Sequence, residues 1–307
     1  MYRLILLFLV ISQPLIAEPL KVPGGEFDIE WKTPFSQQEK ATLISWLEHA
    51  ATSASLINGS FPRKQTHVLI QRASRGTGPV PWANTIRHTD PQGVSFHVNP
   101  TAGLEALKAD WTATHEFSHL YLPYPGRSDI WISEGFASYY QNIFMMRKGT
   151  LSEVQGWQKI ADGFARGQAD LNQDISLQQV SREMRSRRAF KRVYWSGAHY
   201  FLEADIALRQ QSSSLDEVIS KFMTCCREHP AEWDGAKIVE ALDKALDPTG
   251  TTRLFTPLYR QYQQSMGLPD YRSTLTKVGV LIADKQISLS PESDTRTALR
   301  QAISSRP

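Results

Sequence analysis

Thr112-Ala113-Thr114-His115-Glu116-Phe117-Ser118-His119-Leu120 is the stretch from which the rest of the chain can be read. On a helix, residues i and i+4 lie one above the other on the same face, so the His115 and His119 imidazoles can reach one metal ion. Glu116 projects beside them, placed to take a proton from water at that metal. Leu104, Leu107, Trp111, Leu120 and Leu122 recur at helical intervals, so a helix over 103–122 is expected. The same His-Glu-x-x-His pattern occurs in unrelated proteins as two ordinary histidines on a helix face.

Two further segments separate these readings. A catalytic zinc ion needs three protein ligands and one open position. The third ligand is available in Trp131-Ile132-Ser133-Glu134-Gly135-Phe136-Ala137-Ser138-Tyr139. Pro123, Pro125 and Gly126 end the first helix, and a short loop can return an antiparallel helix alongside it. Glu134 then falls in the first turn of that helix, beside His119, with Ser133 as N-cap. Taken alone, Glu134 also fits a surface carboxylate that complements the helix dipole. The second segment is Tyr194-Trp195-Ser196-Gly197-Ala198-His199-Tyr200-Phe201-Leu202-Glu203. A Tyr194 hydroxyl aimed at a developing oxyanion can donate a hydrogen bond to it. Taken alone, Tyr194 is an ordinary half-buried aromatic residue.

Together these residues resemble the gluzincin zinc metallopeptidases, and within them the glycyl-aminopeptidase branch more than the aminopeptidase-N branch. The likeness to that branch rests on Val193–Ala198 continuing into Leu202–Arg209, on a capped helix at Ser214–Phe222, and on Leu275–Val280. It covers roughly residues 93–280. It implies His115, His119 and Glu134 as ligands of Zn2+, Glu116 as general base and Tyr194 as oxyanion donor. It also implies an α+β, gluzincin-like catalytic unit: a small α/β subdomain with an edge strand, packed on a larger, mostly helical subdomain, with the metal in the cleft between. The sequence departs from the family in two respects. Fourteen residues separate His119 from Glu134, fewer than is common there. No Gly-rich Met-Glu-Asn or Leu-Glu-His segment precedes the metal helix to grip a substrate's free amine, which counts against an aminopeptidase. Strand Gly93–Val98 occupies about that place and is expected as the edge strand that pairs with an extended peptide, or as plain sheet. A PDZ-like β domain, found in that branch, is not expected within these residues.

The rest of the chain bounds this reading. Apolar residues make up 41% and charged residues 21%, enough for a globular protein with a core. The net charge of +3 is too small to imply nucleic-acid binding, and no nucleic-acid motif is visible. Arg3, the apolar run Leu4–Ile11 and the small residue Ala17 read as a cleaved signal peptide over 1–17, with an uncleaved anchor as the alternative. Export to the periplasm or the extracellular space follows, with no stable membrane span after cleavage. Cys225 and Cys226, the only cysteines, are adjacent, and two separate thiols on a helix are expected.

Further along, a strand at 26–31, a Ser36–Glu39 capping box opening a helix, and strands His67–Gln71 and Gly93–Val98 make residues 18–102 an α/β unit. Helices are expected at 103–122, 133–147, 152–166, 193–211, 214–227, 235–246 and 252–266, within a helical unit spanning 103–285. Residues 286–307 read as a polar tail, frayed over its last fifteen residues. The basic run Arg182, Arg185, Arg187, Arg188, Lys191, Arg192 is expected to be a solvated helix face, with a substrate carboxylate as the alternative partner. His97 and His199 are expected to be structural. The function expected is zinc-dependent hydrolysis of a peptide or protein substrate. Two alternatives stay open: a catalytically inactive binding module on a peptidase scaffold, and a metallohydrolase of a non-peptide substrate.

Overall fold

A computed structural model describes residues 18–227 and 232–305. The expected signal segment at 1–17 lies outside the described residues. Strands β1 (Glu18–Val22) and β2 (Gly25–Trp31) form a hairpin, and helix α1 (Gln37–Ala54) follows, opened by Ser36 and Glu39 as a capping box. Strands β3 (Gln65–Arg72), β4 (Trp82–Ile86) and β5 (Gly93–Val98) complete a sheet of order β1-β2-β3-β5-β4. β2, β3 and β5 run parallel, while β1 and β4 are antiparallel edges.

The edge strand is therefore not Gly93–Val98. That strand pairs with β3 from His67↔Gly93 to Arg72↔Val98, and with β4 from Trp82↔His97 to Ile86↔Gly93. Val94, Phe96 and Val98 are fully buried, as suits an interior strand. The edge on that side is β4, five residues long, in which Trp82, Ala83 and Ile86 do not alternate with Asn84 and Thr85 and which follows Pro79 and Pro81.

The single helix expected over 103–122 is two helices, α2 (Leu104–Ala109) and α3 (Thr112–Ser118). Asp110 breaks the run: its backbone is extended (ψ 132°), and its carboxylate accepts from the Thr112 amide at 2.8 Å. The Phe27, Phe61, Phe96 and Phe117 rings cluster with centroids 4.8–5.7 Å apart and seat α3 on the sheet.

The helical part begins with α4 (Ile130–Lys148) and α5 (Glu153–Gln168), then α6 (Leu177–Arg182), α7 (Met184–Arg187) and α8 (Phe190–Gln210). It continues through α9 (Leu215–Cys225), α10 (Gly235–Leu246), α11 (Phe255–Gln263) and α12 (Tyr271–Lys277). The six expected helices after residue 130 are all present, with ends displaced by a few residues. Sheet and helices share one continuous apolar core.

Residues 286–305 are not a frayed tail. β6 (Val280–Ala283) pairs with β7 (Gln286–Leu289), and α13 (Thr295–Ser304) is capped by Asp294. Ile303 is fully buried, and its carbonyl accepts from Arg147 Nε at 3.0 Å. Thr297, Arg300, Ile303 and Ser304 share the buried face, a helical spacing hidden by its polar composition. Cys225 and Cys226 are joined in a disulfide where α9 ends and Cys226 leaves helical dihedrals (φ −134°). Among the described residues no helix is long and apolar enough to cross a membrane.

Candidate metal centre

Every residue of α3 is buried. Phe117 points into the sheet, which leaves His115 and His119 on the opposite face with ring centroids 4.8 Å apart. α4 returns antiparallel: His115 meets Gln141, and His119 meets Ser133. Glu134 Oε2 then lies 3.4 Å from His115 Nε2 and 3.5 Å from His119 Nε2. Two donors bound to tetrahedral zinc at about 2.0–2.1 Å would sit roughly 3.3–3.4 Å apart. Glu134 Oε2 is buried and has no hydrogen-bond partner. The three donor atoms all lie within 4.8 Å of one another. An orphaned carboxylate oxygen facing two imidazole nitrogens at this separation fits a tetrahedral divalent ion with one open position. Burial pushes the Glu134 carboxyl up, but the two imidazoles outweigh this and hold it far below the usual carboxylate range.

The imidazoles are fixed from behind. His115 Nδ1 is 2.7 Å from Gln141 Oε1, so it donates there and leaves Nε2 free for the metal. His119 Nδ1 is 3.0 Å from Ser133 Oγ, which also accepts from Arg87 Nη2 at 3.0 Å. Arg87 Nη1 donates to the Leu122 carbonyl at 3.2 Å. Ser133 is thus a support for His119 and not the N-cap. α4 begins at Ile130, one turn earlier than expected, which places Glu134 in its second turn. Gln141 lies seven residues after Glu134, two turns along the same face, and that spacing would have found it. Replacing Gln141 with leucine should weaken zinc binding about 10–100-fold, as read by competition with a chelating dye.

Glu116 Oε2 accepts from the Thr85 hydroxyl at 2.7 Å, which ties it to the edge strand and keeps it out of the ligand set. Tyr194 stacks on His115, with centroids 6.1 Å apart and planes 17° apart. Burial and the facing Glu134 carboxylate raise its pKa, so the phenol keeps its proton. α4 and α8 run in the same direction: Gly135 meets Gly197, Phe136 meets Phe201 and Tyr139 meets Asp205. The two glycines let the helix backbones touch, and this sets Tyr194 against Glu134. The two segments singled out in the sequence therefore meet in space through their glycines.

The five residues His115, Glu116, His119, Glu134 and Tyr194 line one cleft of about 960 Å³. His97 and His199 are outside it. His97 contacts Gln71 and stands 4.5 Å from the Trp82 ring. His199 is held between the Tyr262 and Thr274 hydroxyls, and burial pushes it down to about 4. The basic run does not form one face, because Arg188 adopts a left-handed conformation between α7 and α8. Arg192 is buried, Arg187 pairs with Glu183, and Arg182 and Arg185 face the cleft.

Residues 123–207 match the family model of the M61 glycyl aminopeptidases. No curated protein matches the chain significantly. Among solved structures, the chain is similar to an aminopeptidase N family protein from Idiomarina loihiensis, with TM-score 0.62 and 15% identity over 86% of this chain and 49% of that one. It is also similar to yeast LTA4 hydrolase in complex with bestatin (TM-score 0.52, 15% identity, 92% and 41% covered). A third likeness is to a mutant M1 zinc metallopeptidase from Deinococcus radiodurans bound to a Tyr-ser-ala substrate (TM-score 0.51, 13% identity, 83% and 52% covered). The chain spans about half the length of these structures or less, and what it shares with them is the α+β fold of gluzincin-type peptidases.

Proposed function

We propose that this chain is an exported, zinc-dependent peptidase. The observation that carries the proposal is the His115–His119–Glu134 donor set, with Glu116 and Tyr194 beside it in one cleft. The match of residues 123–207 and the fold shared with peptidases support the same chemistry. The N-terminal segment supports export. His115, His119 and Glu134 would hold a zinc ion, which would supply Lewis acidity toward water and a substrate carbonyl.

The protein groups do the rest. An extended peptide pairs with the free edge of β4, which runs past the donor set. Glu116 accepts the proton of the attacking water and returns it to the departing amine. The Thr85 hydroxyl holds the Glu116 carboxylate on the cleft side during both transfers. Tyr194, protonated and stacked beside the site, donates a hydrogen bond to the oxygen that gains negative charge. Trp82–Ile86 carries no carboxylate, and Arg87 follows it. A free substrate amine finds no acidic partner on this strand, so we expect cleavage not to require a free terminus.

A digest of a defined peptide library, read by mass spectrometry with and without a chelator, tests this. Cleavage at internal bonds by the zinc-loaded protein alone is the expected result. Absence of cleavage under all conditions would leave the scaffold as a binding module. Hydrolysis of esters or epoxides without peptides would point to the non-peptide reading.

A further inference from the structure

The charges lining the cleft are uneven. Its acidic residues are Glu116 and Glu134, both engaged in the chemistry, whereas Arg87, Arg127, Arg182 and Arg185 line the same space. Arg127, Arg182 and Arg185 are exposed, and none forms an ion pair with a carboxylate among the described residues. Arg185 follows Arg182 by three residues and lies close enough to Tyr194 to act on its hydroxyl. Arg182 Nε donates to Ser128 Oγ at 3.3 Å, which brings the end of α6 beside Arg127. Arg87 lies just beyond β4 and stacks on Tyr124, with its guanidinium 5.6 Å from the ring. Tyr124, beside Arg87, and Phe190, against Tyr194, are 43% and 40% exposed and add apolar surface to the cleft.

A surface arginine commonly stands alone in water. Four lining one cleft are different, because like charges along a concave surface add their fields there. Burial already pushes the Arg87 guanidinium below its ordinary pKa, with the facing Glu134 and Glu116 only partly offsetting this. A zinc ion at the His115–His119–Glu134 set would add further positive charge. Guanidinium groups bind carboxylates with paired N–H donors, so the complementary group is an acidic side chain.

Resting on the peptidase reading above, we infer that the substrates are acidic peptides, with Asp or Glu side chains held by Arg127, Arg182 and Arg185 at the end of the cleft beyond β4. A Lys- or Arg-bearing segment is repelled from the same place. The site therefore selects by side-chain charge next to the scissile bond, where an amine-anchored enzyme selects by the chain terminus.

The test separates binding from turnover. Three fluorescein-labelled peptides of identical length carry Glu, Gln or Lys at the same two positions. Fluorescence anisotropy with the zinc-loaded Glu116→Gln protein gives their affinities, and wild-type kcat/KM gives their cleavage. The Glu peptide should bind about tenfold more tightly than the Gln peptide, since each exposed ion pair contributes up to about fivefold. The Lys peptide should bind least, and the spread should shrink as salt is raised. Arg182→Gln with Arg185→Gln should lower the Glu-to-Gln affinity ratio by about fivefold, and the Lys pair at these positions should retain most of it. Equal affinity for the three peptides, or an equal loss for all three in the double Gln variant, overturns the inference. If wild type cleaves none of the three but the affinity order holds, the peptidase reading fails and the acidic preference stands.

Discussion

Replacing Glu116 with glutamine is expected to lower peptide turnover about a thousandfold while leaving zinc content unchanged. Glutamine matches the shape of glutamate and can still accept the Thr85 hydroxyl bond through its amide oxygen. It cannot take up a proton. Glu116 is outside the donor set, so the metal site should persist. Turnover per bound zinc therefore isolates the proton transfer from metal loss. A Glu116→Gln protein that cleaves as fast as wild type would remove the general base from the mechanism.

A glycine far from any reacting atom should matter nearly as much. A Cβ added at Gly197 would lie 1.9 Å from the Trp131 carbonyl oxygen and 2.7 Å from Gly135 Cα, and one added at Gly135 would lie 2.2 Å from Gly197 C. Both obstacles are backbone, so neither can rotate away. Gly197→Ala must push α4 and α8 apart. Overpacking of this kind costs about 3 kcal/mol, near the upper end of the usual range. Glu134 is one residue from Gly135 and Tyr194 is three from Gly197, so the separation displaces the proposed ligand and the proposed oxyanion donor together. A shift near 1 Å lowers turnover about a hundredfold. Thermal unfolding and turnover per bound zinc should both fall. A Gly197→Ala protein with an unchanged melting temperature and turnover would show that the helix contact does not set the site.

The helical framework, and the meeting of the five candidate residues in one cleft, were legible because their signals are local. The i, i+4 histidines, the capped helices and the glycines flanking Glu134 and Tyr194 each lie within one segment. What was hidden depends on distant partners. The edge strand β4 owes its place to pairing with β5 and not to its own composition, so the alternation of Gly93–Val98 points to the wrong strand. The break at Asp110 is one carboxylate turned back onto Thr112, inside a run whose apolar periodicity continues across it. α13 buries Arg300 and Ser304 through bonds to other elements, and a polar stretch gives no apolar pattern to show this. Arg87 supports Ser133 and His119 from the end of the sheet, a contact that no spacing along the chain announces.

The three-donor centre depends on the short connection that returns Glu134 to His119. Zinc stoichiometry of the dialysed protein tests it directly. Wild type and Glu116→Gln should each retain one equivalent, and Glu134→Ala should lose it under the same dialysis. Full retention in Glu134→Ala, or no zinc in wild type loaded with the metal, would contradict the three-ligand centre.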